Sequence, residues 1–288
     1  MTQPPPGRVA LVLAVAIAAV STAGTLVRLA PDVPPLTLAF WRVTLVAILL
    51  APGARRVSRR DLLLTALGGL FLALHFWSWF LSLGMTSVMR STLLVCLTPV
   101  WCAVFEAIFF GTRPSPRFWI GIAVALAGVG WMVAGGSGPG GGSLRGDVLA
   151  VLGGILGAAY FTVGRGVRTR VPITSYGPIS CAVTAGWLAL LALLSHSPLT
   201  GFPQGSWTII ACLALGPQLL GHVGFNYAVG RMSAAIVAAL ILLEPVGASI
   251  VAAVVLRELP HATDIAGGLV TLIGVAVAVV PARVRAAG

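Results

Sequence analysis

Ten long apolar runs, separated by arginines and by proline and glycine clusters, constrain this chain more than any other feature. They cover roughly 9–29, 35–51, 62–82, 86–110, 117–135, 147–164, 173–194, 207–228, 233–256 and 262–281. A helix needs about 20 apolar residues to cross the hydrocarbon core of a bilayer. Transmembrane strands would be about half that length and would alternate strictly. The expected class is therefore an all-α integral membrane protein of ten transmembrane helices. The first run is long enough to span, so it is expected to be a membrane helix and not a cleaved signal peptide. Connections are short, and no room remains for a soluble domain.

Composition agrees. Of 288 residues, 58% are hydrophobic and 9% charged, with a mean hydropathy of +1.02. A soluble domain carries about 25% charged residues. The net charge of +11 comes from arginines that lie mostly in the gaps between runs. That placement orients a membrane protein and excludes a nucleic-acid partner. Thirteen arginines fall on one side: Arg8, the Arg55 to Arg60 cluster of four, Arg113, Arg117, Arg165, Arg168, Arg170, Arg231, Arg283 and Arg285. Four fall on the other: Arg28, Arg90, Arg145 and Arg257. The split puts both termini in the cytoplasm. All 18 basic residues are arginine, and with abundant Ala and Gly this points to a GC-rich bacterial source, so the expected location is the bacterial inner membrane. Cys96, Cys102, Cys181 and Cys212 sit inside apolar runs with no metal-ligand spacing, so neither disulfide nor metal is expected.

The two halves align on each other. Gly84, Ser87, Pro99, Val100, Pro114, Gly121 and Gly128 recur as Gly230, Ser233, Pro245, Val246, Pro260, Gly267 and Gly274, all at one offset of 146. Pro35 and Thr37 match Pro172 and Thr174 at an offset of 137. The division is 1–135 for the first five-helix repeat, 136–146 for a glycine-rich linker and 147–288 for the second repeat. Five helices is an odd number, so the second copy enters the membrane inverted. Inverted repeats around a central cavity are the architecture of alternating-access transporters. The glycine pairs, each seven residues apart, read as scaffold or dimer contacts. The protein is a monomer or a homodimer.

These residues resemble the EamA-like family of the drug/metabolite transporter superfamily. The resemblance rests on Pro35-x6-Arg42, Leu97-Thr98-Pro99-Val100, Leu242-Leu243-Glu244-Pro245-Val246 and Leu256-Arg257-Glu258-Leu259-Pro260. It implies ten helices, a cavity between the halves, no enzyme activity, and export of amino acids or similar small metabolites. Carriage of another solute class, such as cationic drugs or nucleotide sugars, is the alternative. The first copy departs from the family after Gly111, where Thr112 replaces the expected acid. A channel would need rings of polar residues, and an intramembrane enzyme would need a nucleophile with a base; neither pattern is present.

The site candidates follow from what lipid tolerates. Ionisable and polar groups inside a span must face a cavity or each other. Glu244 could bind a cation or amino group, couple a proton, or pair with Arg42. Arg42 could bind a carboxylate in two-pronged fashion, snorkel, or tie helices together. His75, Trp79 and Ser82 share one helical face, as do Gln218, His222 and Asn226. Trp101 and Tyr160 could add aromatic walls. Pro99 and Pro245 should kink helices four and nine and free the carbonyls of Val95 and Ile241. Glu106 is expected nearer the cytoplasmic end, within reach of water. No cofactor is implied beyond the open question of a proton at Glu244.

Overall fold

The computed structural model describes residues 6–86, 91, 94–135, 143–255, 257 and 262–279. Residues 136–142 of the linker, Ser87, Arg90, the Glu258 loop, and Arg283 and Arg285 lie outside these. The described residues are helical, without strands. In order they form α1 (Pro6–Val20), α2 (Ala23–Arg28), α3 (Pro35–Leu50), α4 (Arg59–Leu83), α5 (Thr98–Phe110), α6 (Pro116–Gly135), α7 (Leu144–Arg168) and α8 (Ile173–Leu194). There follow α9 (Gln204–Leu213), a π-helical stretch (Ala214–Val223), α10 (Gly224–Val229), α11 (Ala234–Ile241), α12 (Glu244–Val255) and α13 (Ala262–Val279).

Seven segments are long and apolar enough to cross a membrane: Gly7–Arg28, Pro35–Gly53, Arg59–Leu83, Leu144–Arg168, Ile173–Leu194, Gln204–Val229 and Ala234–Val255. Three further apolar helices are shorter: Thr98–Phe110, Pro116–Gly128 and Ile265–Ala278. Their outer faces suit lipid. Phe109 is 70% exposed, Leu193 72% and Val254 76%, which water would penalise and hydrocarbon would not. The protein is a multi-pass membrane protein.

Local chemistry sets the helix ends. Ser58, Ser143 and Ser233 each accept a hydrogen bond from the backbone N–H three residues on, capping α4, α7 and α11. Asp61 and Asp147 stand in the first turns of α4 and α7, where the helix dipole favours a negative charge. Gly111 closes α5 at φ +64°, a conformation that favours glycine.

Runs four and nine, expected to be single helices kinked at Pro99 and Pro245, are interrupted instead. Turns at Cys96–Leu97 and Leu242–Leu243 break each rod. Pro99 and Pro245 then occupy the second position of α5 and of α12. Proline is well tolerated in a first turn, because its missing N–H has no intrahelical partner there. A third break, at Ser21–Thr22, separates α1 from α2.

The main packing pairs are α6 with α13, α4 with α7, α3 with α8, α4 with α8, α1 with the π-helical stretch, and α5 with α11. Glycines make the tightest contacts. Gly121 abuts Ala278, and Gly128 abuts Gly267 and Thr271. The order is reversed along the two helices, so α6 and α13 run antiparallel. The glycine stripes therefore face each other inside one chain. At the end opposite the arginine clusters, Thr37 donates to the Pro198 carbonyl and the Trp41 indole N–H to that of Leu199, each at 2.7 Å.

Candidate functional site

The helix breaks converge on one cavity of about 50 Å³, room for a few water molecules. Val20 and Ala23 line it from either side of the α1–α2 break. Val95 and Thr98 do so at the α5 break, and Ile241 and Glu244 at the α12 break. Thr98 and Glu244 are repeat counterparts and each begins its helix. The Val95 carbonyl, expected to be freed by Pro99, accepts the Thr98 hydroxyl at 2.7 Å. The same hydroxyl reaches the Gly154 carbonyl at 3.2 Å. Gly154 lets the helices approach this closely, since a methyl there would lie 2.8 Å from the Val95 oxygen.

Six of the eight proposed binding residues line this cavity: Arg42, His75, Trp79, Tyr160, His222 and Glu244. His75 is fixed by a 2.8 Å hydrogen bond between its Nδ1 and the Gly153 carbonyl. Its ring stacks on Trp79, with centroids 6.2 Å apart. His222, in the π-helical stretch, meets Phe76 edge-on at 5.0 Å, and its Nδ1 has no hydrogen-bond partner. Arg42 is wholly buried and stacks over Phe76, with Cζ 4.4 Å from the ring centroid. Among the described residues, none of its three side-chain nitrogens has a hydrogen-bond partner, so it does not pair with Glu244.

The other two lie elsewhere. Asn226 stands behind the wall, donating to the Tyr160 hydroxyl and, at 2.9 Å, to the His222 carbonyl. It positions Tyr160 and does not line the cavity. Trp101 packs against the core beyond the α5 break. Gln218 is also off the cavity, its amide directed at Cys181. Ser82 hydrogen-bonds to Ser91 and to the Trp79 carbonyl. The sequence reading missed Leu72, Phe161 and Phe225, which complete the apolar wall. Apolar residues within an apolar run give no signal of their own; the adjacency of Phe161 to Tyr160 was the nearest available clue.

Glu106 departs from expectation. It is 2% exposed, away from bulk water. Its carboxylate pairs with Arg165 of α7 and accepts the first backbone amides of α11, Ala234 at 2.7 Å and Ala235 at 3.4 Å.

The prolines carry a direct test. Pro99→Ala and Pro245→Ala allow an unbroken helix through each turn. Each is expected to slow transport by roughly tenfold, about 1.4 kcal/mol on the barrier, with no fall in melting temperature. Efflux rates from proteoliposomes and a thermal melt check both parts.

An apolar helical exterior around a partly polar cavity at broken helices is the build of a multi-pass membrane transporter. The chain belongs to the EamA-like transporter family, whose sequence profile matches residues 6–134 and again 144–280. It is 30% identical over 246 residues to a probable terminal-alkyne amino-acid exporter of Streptantibioticus cattleyicolor, covering 81% of this chain and 80% of that protein. A protein known from a crystal structure shares the fold, with a TM-score of 0.78 at 21% identity, covering 95% of this chain and 97% of the other.

Proposed function

We propose that the protein exports amino acids or similar small metabolites across the bacterial inner membrane by alternating access. Ten helices in two inverted five-helix repeats would rock about the cavity, with both termini in the cytoplasm. The observation that carries this reading is the cavity itself, which lies where rods from both halves break. Broken helices at a binding site are how carriers expose backbone groups without leaving them in lipid.

Packing supports the inverted repeat. The counterparts α6 and α13 face each other, as do α3 and α8. The contact of α4 with α7 has its counterpart in α1 against the π-helical stretch. Gly128 meets Thr271 while Gly274 meets Ala125, the same contact carried over by the offset of 146. The relative named as an amino-acid exporter supports the solute class.

The test is counterflow in liposomes containing the purified protein. Radiolabelled amino acids are expected to show saturable flux that is accelerated by unlabelled amino acid on the opposite side. Flux that rises linearly without saturation would indicate a channel. No flux of any amino acid, with saturable flux of a cationic drug or nucleotide sugar, would replace the solute class.

A further inference from the structure

Arg42 and Glu244 reach the cavity from different elements, α3 and the start of α12. Arg42 is held without spending its hydrogen bonds. Its guanidinium lies 4.4 Å from the Phe76 centroid and 5.8 Å from that of Phe80. Stacking on a ring face leaves the in-plane N–H groups free, and none of its nitrogens has a partner among the described residues. A fully buried cation in this condition is costly until something pairs with it.

Glu244 brings a carboxyl group into the same cavity, yet the guanidinium does not close on it. The first turn of α12 favours the ionised form of that group through the helix dipole. Direct pairing would leave nothing for a solute to do. A guanidinium and a carboxyl group that line one cavity without pairing leave a place for a molecule with the complementary groups.

We propose that the site recognises its substrate as a zwitterion, with an α-carboxylate on the in-plane N–H groups of Arg42 and an α-ammonium on Glu244. The remaining surface is aromatic: Trp79, Tyr160, Phe161 and Phe225. When the halves rock and the cavity widens beyond its present volume, this surface receives the substrate's side chain, for which apolar and π-bearing groups fit best. A simple carboxylic acid satisfies Arg42 and leaves Glu244 unmatched, and a simple amine does the reverse. Sites built around buried polar partners reject ligands lacking one of them strongly, by up to roughly 10⁴–10⁵. This assignment rests on the cavity being the transport site.

The experiment uses the full-length purified protein in detergent. The twenty proteinogenic L-amino acids and L-propargylglycine, a terminal-alkyne amino acid, are screened by calorimetric binding. The tightest binder is then compared with its deaminated acid and its decarboxylated amine. Both analogues are expected to bind wild type at least about 100-fold more weakly, since each leaves one buried partner unmatched. Arg42→Gln should lose the preference over the amine, and Glu244→Gln the preference over the acid. An analogue that binds wild type as well as its parent overturns the zwitterion assignment. So do variants that keep both preferences. In either case counterflow of the parent amino acid would still stand, which separates this failure from failure of the transport reading. If no amino acid binds or moves, both fall. Should either variant not fold, the wild-type comparison of the three ligands decides alone.

Discussion

Glu106→Ala is expected to loosen the arginine-rich end of the molecule, raising amide exchange at Ala234 and Ala235 by roughly 100-fold, with a comparable loss of transport. The carboxylate joins three elements: α5, which carries it, α7 through Arg165, and α11 through two backbone amides. Removing it leaves two helix N-terminal donors without an acceptor and one guanidinium without a counter-ion. Breaking a buried charge pair from one side costs about 3–5 kcal/mol. The Arg165 side chain is 24% exposed, so water screens its share. A net cost of about 3 kcal/mol corresponds to the 100-fold change. Arg165→Gln should cost less, because the amides keep their acceptor. The exchange of charges, Glu106→Arg with Arg165→Glu, should not rescue. It restores an ion pair but sets a cation against the positive end of α11. Hydrogen–deuterium exchange of the reconstituted protein measures all three. Rescue by the charge exchange would reduce the carboxylate to a simple ion-pair partner and remove its capping role.

Much of the architecture was legible because lipid is a severe solvent. A span must satisfy its own backbone and exclude unpaired charge, so apolar runs mark helices, and Arg42 and Glu244 stand out within theirs. Both line the cavity. Side-chain direction was less legible. Trp101 has the right chemistry, but it follows the turn at Cys96–Leu97, so an unbroken helical wheel does not place it. Asn226 follows a π-helical stretch, whose wider turn spoils a count in steps of four. The role of Glu106 depends on Arg165, 59 residues away, and on Ala234, 128 residues away. No local pattern announces partners at that separation. The three breaks share one physical cause for their invisibility. Serine, threonine and leucine at a turn read the same as in a helix until the neighbouring rod shows where the carbonyls go.

Gly274→Ala and Gly128→Ala are each expected to destabilise the protein by about 3 kcal/mol, the upper end of the usual cost of overpacking. A methyl on Gly274 would lie 2.2 Å from the backbone nitrogen of Ala125. On Gly128 it would lie 2.5 Å from the Gly267 oxygen and 2.6 Å from the Thr271 nitrogen. The obstructing atoms are backbone, so no rotamer change relieves them, and α6 must move away from α13. Small residues hold helices together in lipid by letting backbones approach closely, and separation forfeits that packing along the whole pair. The two substitutions act on one interface. Once the first has parted the helices, the second meets less resistance, so the double variant should cost clearly less than the sum. Gly130→Ala, on the same helix but with nothing within 4 Å of the added methyl, is the control and should be neutral. Thermal melts of purified single and double variants check the set. If the glycines served a contact between two copies of the chain, Gly274→Ala would instead leave the monomer's melting temperature unchanged and alter only its association. The geometry excludes that division of labour for these positions, because Ala125 and Thr271 of the same chain already occupy the space.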